Sequence, residues 1–357
     1  MTQRILVVRT TSMGDLIHTL PAVSDMAAHL PGVRVDWVAE QPFAEIPSWH
    51  PAVDQIIPVA LRRWRKAWFS APVRAERAEY LRQLQARRYD AVIDLQGLIK
   101  SAALVAIRAR GPRHGLDWHS AREPLASIFY GHRHRVAPLQ AAVTRYRTLA
   151  GLALGYVPEG PPDFALQSLA GAPAPVTLAD GTVWDPSLTR ARFAAIMPSA
   201  SRDTKLWPEA DWQAVLRQLA GAGVRPMLFA GNDEERARAE AIAHGVDGAC
   251  VLPRMPLAQT ARVLGAARLT VGLDSGITHL SAALGLPTVG IYCATPVVRT
   301  PLTGAGFCAS LGDRGRPPTL AEVQAAVDTA LAADTPCAVS AAPGKTVPDA
   351  SEVRAAS

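Results

Sequence analysis

The chain has 357 residues, 49% of them hydrophobic and 19% charged, and carries a formal net charge of +6. That length suits two domains of ordinary size, and the composition excludes a disordered or fibrous chain. No apolar run approaches the roughly 20 residues of a membrane helix, and Cys250, Cys293, Cys308 and Cys337 are too dispersed for a zinc site or a disulfide framework.

The opening "MTQRILVVRT" holds an apolar run of strand length with no small-residue cleavage site after it, so a cytoplasmic protein is expected. "RILVVRT" reads as a strand and residues 15–29 as the helix that follows. Between them, "RTTSMGDLIHTLPAVSDM" sets Asp15 at the helix mouth, where free N–H groups and the macrodipole favour an acid. A plain capping role is the default reading of such a residue.

"VRVDWVAE" and "QIIPVAL" read as further strands, residues 73–88 as a helix, and "YDAVIDLQ" as a strand followed by a helix from about Leu98. Strands alternating with helices, without tight hairpins, imply right-handed crossovers and a parallel sheet. Within this half the charge is concentrated. Residues 61–88 hold nine basic residues and the two acids Glu76 and Glu79, a net of +7 that exceeds the whole chain's charge. Its segment "LRRWRKAWFSAPVRAER" interleaves Trp64, Trp68 and Phe69 with arginines, a pattern open to nucleic acid, to an anionic lipid headgroup, or to an exposed amphipathic helix. Arg122, Arg145 and Arg147 add positive charge further on.

From about residue 158 the text turns rich in proline and glycine, and the alternation restarts with "FAAIMPSA". The expected division is therefore residues 1–160 as one Rossmann-like domain, 161–190 as a linker with at most a short strand, and 191–334 as a second such domain. In the second half, "VRPMLFAG", "ACVL", "LTVGLDSG" and "PTVGIYC" are strands, and a last helix spans residues 320–332. The tail, residues 335–357, is Ala/Pro/Ser-rich and expected to be disordered. Two doubly wound α/β halves place ligands at strand carboxyl ends, facing a shared cleft. Neither half carries GxGxxG, which counts against a nicotinamide dehydrogenase.

In "VGLDSGITHLSAALGLPTVGIY", Asp274, Ser275 and Gly276 open a helix that carries His279. Such a corner offers backbone N–H groups to a phosphate, or else merely caps its own helix. "PSASRDTKLWPEADW" places Ser199, Ser201, Arg202 and Lys205 on a loop after a strand. The chain has four lysines against thirty-three arginines, so Lys205 invites a specific reading as a compact ammonium for a phosphate oxygen.

With these segments in view, the chain resembles the lipopolysaccharide heptosyltransferases, inverting glycosyltransferases of GT-B fold. The resemblance rests on "RTTSMGDLIHTLPA", "DWVAEQPFAEIPSWHPAV", "YDAVIDLQGLIKSA", "DWHSAREPLASIFY", "RDTKLWPE" and "DSGITHLSAALGLP", and it covers roughly residues 4–330. "RRWRKAWFS" points within the family to members that add the first heptose.

The resemblance implies transfer of L-glycero-D-manno-heptose from ADP-heptose to the Kdo of Kdo2-lipid A at the cytoplasmic face of the inner membrane. A sibling transferase for a later core heptose is the alternative. Asp15 would be the catalytic base. Ser201, Lys205, Glu235 (or Glu234), Met255, Asp274, Ser275, Gly276 and His279 would hold the donor. Arg62, Arg63, Arg65, Lys66 and Arg122 would meet the anionic acceptor, with Trp64, Trp68 and Phe69 at the membrane surface. No metal is required on this reading and no DxD motif is present to bind one, although Mg²⁺ could stimulate. A monomer that binds no nucleic acid is expected. Two features depart from the family pattern: Ala200–Ser201 stands where members commonly carry a threonine pair, and "YCATPVVRTPLTGAGF" matches poorly.

Overall fold

A computed structural model describes residues 2–169, 171–189, 192–200 and 202–333. The expected disordered tail, Ser201 and Cys337 lie outside the described residues.

The first half builds a sheet from β1 (Arg4–Val8), β2 (Arg34–Glu40), β3 (Val53–Val59), β4 (Ala91–Asp94), β5 (Arg113–Leu116) and β6 (His132–His134). Its helices are α1 (Met13–His29), α2 (Glu45–Ser48), α3 (Leu61–Trp64), α4 (Ala71–Gln85), α5 (Ile99–Leu104) and α6 (Ala142–Leu154). The linker carries a two-stranded antiparallel ribbon, β7 (Val176–Thr177) and β8 (Val183–Trp184).

The second sheet comprises β9 (Phe193–Met197), β10 (Arg225–Leu228), β11 (Cys250–Val251), β12 (Leu269–Leu273), β13 (Thr288–Tyr292) and β14 (Cys308–Gly312). Around it lie α7 (Glu209–Gly221), α8 (Asp233–Ala243), α9 (Leu257–Gly265), α10 (Gly276–Ala283) and α11 (Leu320–Ala332).

Both six-stranded sheets are parallel throughout and share one winding, β3-β2-β1-β4-β5-β6 and β11-β10-β9-β12-β13-β14. Central strands buried on both faces read as unbroken apolar runs, as in "ILVV" and "AAIM". In such a sheet the strand order reverses at one point, and the crevice there takes the ligand. Here the two reversals fall between β1 and β4 and between β9 and β12. The sequence reading missed β5, β6 and β14; their "RHGL", "HRH" and "CASLG" lack a strong apolar run.

Three apolar clusters fill the layers. One lies on the α3–α4 side of the first sheet and one on the α7–α11 side of the second. The third runs from Ile5 and Leu20 through Leu169 to Met227 and Leu280, so the two halves share a single apolar layer.

Candidate active site

The corner after β1 is held from both sides. Gln96, just beyond β4, accepts from the Thr10 N–H at 2.9 Å and its hydroxyl at 2.7 Å, and the Asp94 carboxylate fixes the Gln96 N–H at 2.9 Å. The indole of Trp37 on β2 donates to the Arg9 carbonyl at 3.0 Å. The turn that launches α1 is therefore tied to both strands flanking β1.

Asp15 sits in the first turn of α1, 30% exposed, and divides its two oxygens. Oδ2 accepts from the Ser12 N–H and hydroxyl, both at 2.9 Å, which is the capping role. Oδ1 accepts from the Tyr146 hydroxyl of α6 at 3.1 Å and from the buried Arg9 guanidinium. Burial pushes this carboxyl up, but the Arg9 charge and the Ser12 hydrogen bonds outweigh it and hold the pKa at about 2.

At the other reversal, Asp274 ends β12 and Ser275 caps α10, its hydroxyl lying 3.0 Å from that of Thr278. Lys205 Nζ donates to Asp274 Oδ2 at 2.6 Å and to the Asp274 carbonyl at 3.0 Å, while His279 Nε2 lies 3.0 Å from Oδ1. Burial favours the neutral acid; the His279 and Lys205 contacts outweigh that and hold Asp274 well below the usual carboxylate range. Two expectations change here. Lys205 is not a free ammonium awaiting a phosphate but is already paired with Asp274. His279 does not reach the cleft: its ring is buried between Asp274 and His18 of α1, whose centroid lies 4.4 Å away, edge to face.

Between the two corners lies a cavity of about 820 Å³, lined by Met13 and Phe43 from the first half and by Phe229, Glu235, Met255 and Gly276 from the second. That volume falls in the range of small-molecule sites. Ser275 and Ile277 also face it, so the first turn of α10, with its outward N–H groups, opens on the cavity. Glu235, the acid just after the "GNDE" turn, lines it, and its Oε2 also accepts from the Gly231 N–H at 2.8 Å. Met13 packs so closely on Gly276 that a Cβ there would meet it at 2.7–2.9 Å.

The basic segment divides. Arg62, Arg65 and Lys66 are exposed on and just after α3, and Arg122 is exposed on the loop after β5. Arg63 instead forms a two-pronged pair with Glu76 at 2.9 and 2.6 Å, and the Trp64 indole donates to the same carboxylate at 2.7 Å. Trp64 is thus buried against Tyr80 rather than at a membrane surface, because α4 folds over it. Trp68 lies under the Arg77 guanidinium at 3.5 Å, and only Phe69 of the three aromatics stands clear, 85% exposed.

Sequence reasoning missed Arg9, Tyr146 and His18 as parts of the site. Arg9 and His18 stand inside the quoted "RTTSMGDLIH" stretch. Tyr146 falls in "TRYRTLAG", between the two arginines that drew attention there.

Two parallel Rossmann-like sheets whose reversal points, at the mouths of α1 and α10, border one cavity give the GT-B architecture of two-domain glycosyltransferases. The model of glycosyltransferase family 9 (heptosyltransferase) matches residues 77–326. Lipopolysaccharide heptosyltransferase 1 of Salmonella typhimurium is 47% identical over 82% of this chain and 89% of its own length. That of Escherichia coli K12 is 46% identical over 82% of this chain and 88% of its length. The solved structure of E. coli heptosyltransferase WaaC with ADP superposes with a TM-score of 0.83 at 42% identity, covering 92% of this chain and all of that one. The chain belongs to glycosyltransferase family 9, the heptosyltransferases, and is an enzyme of that class.

Proposed function

We propose that the protein transfers L-glycero-D-manno-heptose from ADP-heptose to the Kdo of Kdo2-lipid A with inversion, adding the first heptose of the lipopolysaccharide core. The observation that carries this reading is one cavity bordered by Met13 at the mouth of α1, two residues before Asp15, and by Ser275–Ile277 at the mouth of α10. It is supported by relatives named heptosyltransferase 1 and by a relative solved with ADP-2-deoxy-2-fluoro heptose, at 42% identity.

In this reaction Asp15 takes the proton from the acceptor hydroxyl as that oxygen attacks the anomeric carbon, and ADP leaves from the opposite face. Asp15 is fully ionised at neutral pH, so it is ready to accept. The N–H groups at the start of α10 stabilise the diphosphate as it departs. Asp274, Lys205 and His279 hold that corner in place. Met255 and Phe229 offer the adenine an apolar wall, and Glu235 offers the donor a polar contact. The departing charge is met by protein groups, so no metal is required.

The acceptor's carboxylates and phosphates fall to Arg62, Arg65, Lys66 and Arg122. No helix among the described residues is long and apolar enough to cross a membrane. A lipid-linked acceptor and this exposed charge together favour a monomer seated peripherally on the cytoplasmic face of an anionic membrane, with no nucleic acid bound.

The test is mass spectrometry of Kdo2-lipid A incubated with ADP-heptose, using wild type and Asp15→Asn. One added heptose with the wild type and at most a trace with the variant is expected. Equal transfer by both would reduce Asp15 to a helix cap. No transfer by either would reject the acceptor.

A further inference from the structure

Most of the exposed large apolar side chains of the first half cluster in chain position. Phe69 follows β3, Ile99 follows β4, and Trp118, Leu125 and Ile128 follow β5. In a parallel sheet, segments leaving the strands emerge on the carboxyl edge, and Asp15 lies on that edge after β1.

Two of these segments are joined. The Glu123 carboxylate accepts from the Ile99 N–H at 2.8 Å, which seats the 3₁₀ turn Pro124–Phe129 against the start of α5. In a 3₁₀ helix, residues i and i+3 stand one above the other. Leu125 (53% exposed) and Ile128 (58%) therefore share a face, while Ala126 and Ser127 point inward and are buried. Ile99, 38% exposed, extends this apolar edge at the first position of α5.

Cations border it. Lys100 is exposed next to Ile99, and Arg122 next to Glu123. Lys100 and Arg62 both lie close enough to the Glu40 carboxyl to act on its charge, and the Arg62 N–H donates to Glu40 at 3.1 Å. Lys100, beside the apolar edge, and Arg62 of α3 thus flank the same Glu40 carboxyl, with Arg65 and Lys66 just beyond Arg62 in the chain. The acids nearby are already engaged, Glu123 on Ile99 and Asp117 on the Ser120 N–H at 2.8 Å.

We propose that this rim, the first turn of α5 with the turn Pro124–Phe129, seats on an anionic lipid bilayer, with Ile99, Leu125 and Ile128 entering the interface. Lys100, Arg122, Arg62, Arg65 and Lys66 then meet the lipid phosphates. The assignment rests on the reading of the acceptor as a lipid, and it moves the apolar contact away from the buried Trp64. Side chains at the interface add an apolar contribution that salt does not screen, whereas arginine–phosphate attraction falls within a Debye length.

The test is flotation of the full chain with vesicles of phosphatidylethanolamine containing roughly a quarter phosphatidylglycerol, against pure phosphatidylcholine. Leu125→Ser with Ile128→Ser should lower the partition coefficient about tenfold. Wild type should keep a salt-resistant remainder at about 0.5 M salt that the double variant lacks. Binding by the double variant equal to wild type overturns the proposal, as does self-association through this rim without vesicle binding.

Leu125→Trp is a second reading that survives poor folding of the serine variant. Its emission should be quenched by brominated acyl chains, and an unquenched indole overturns the proposal. Transfer to a soluble acceptor lacking long chains should be the same in wild type and the double variant. Failure of that transfer in wild type would sink the proposed reaction while leaving the vesicle result to decide the surface.

Discussion

Tyr146 donates its hydroxyl hydrogen to Asp15 Oδ1 at 3.1 Å and accepts from Arg9 at 2.6 Å. Arg9 spends its other arm on the Leu95 carbonyl at 2.7 Å. Asp15 is therefore oriented from α6 and from β4 at once. Hydrogen bonds to charged groups contribute about 1.5–3 kcal/mol. Tyr146→Phe should lower kcat by roughly tenfold and raise the pKa of Asp15 from about 2 toward the ordinary carboxylate value. The acid limb of the pH–rate profile would move up with it, and an unmoved limb would show that Tyr146 does not act on the base.

Breaking the buried pair from the other side costs more. Arg9→Met leaves the Asp15 carboxylate without its strongest partner, and loss of one member of a buried pair costs about 3–5 kcal/mol. A fall in thermal midpoint is expected, larger at pH 7 than at pH 3. Asp15 is depressed in the fold, so its stabilisation is present above the unfolded value of 3.8 and is lost as pH falls toward about 2. Equal losses at both pH values would disprove the ion-pair account.

Among the described residues His18 has no hydrogen-bond partner on either ring nitrogen, and burial, helped by neighbouring His279, holds its pKa near 3. Burial also holds His50 and His114 at about 4. Each binds a proton in the unfolded chain before it does so in the fold. Stability is thus complete above the unfolded value of 6.5 and falls as pH drops from there toward 4, by about 1.4 kcal/mol per pH unit for each histidine. Urea midpoints at pH 7.5, 6 and 5 should show this decline, and His18→Leu should make it shallower while His50 and His114 keep the rest.

Gly276 faces Met13 across the two halves at a distance that leaves no room for a methyl group. Gly276→Ala should destabilise by about 1–3 kcal/mol through overpacking. Met13→Ala in the same chain should recover part of that loss, because Cγ and Sδ are gone while the residue-13 Cβ, 2.8 Å from the added methyl, remains. A double-mutant cycle reads the coupling directly, and additive losses would contradict the contact.

Arg63 and its neighbours should separate. Arg63 is committed to Glu76, whereas Arg65 and Lys66 are exposed and have no side-chain partner among the described residues. Arg65→Ala with Lys66→Ala should raise the KM for a phosphorylated acceptor severalfold with little change in kcat. Arg63→Ala should leave that KM near wild type. The reverse ranking would mean that Arg63 lets go of Glu76 when acceptor arrives.

The parts of this molecule that the sequence made legible are those dictated by local chemistry. Runs such as "ILVV" and "LTVGL" read as buried central strands, and "MGD" and "DSG" after such runs as helix mouths at strand ends. Short edge strands stayed hidden, because His114, His132 and His134 carry no apolar pattern. The partners within the site stayed hidden for another reason. Tyr146 reaches Asp15 across 131 positions, and Lys205 reaches Asp274 across 69. Glu76 claims Arg63 and Trp64 from a different helix, so a stretch that reads as free charge and free aromatics is half spent on internal pairing.

The meeting of Met13 with Gly276 and of His18 with His279 has a mechanical consequence. The halves touch beside the reacting centre itself, so a rotation of one sheet against the other about that contact works with a short lever arm there and a long one at the outer edges. The gap between Asp15 and the start of α10 is then the stiffest dimension of the cleft, and the entrances for donor and acceptor are its most compliant. A given rotation therefore alters the spacing between proton acceptor and diphosphate cradle less than it alters the mouth.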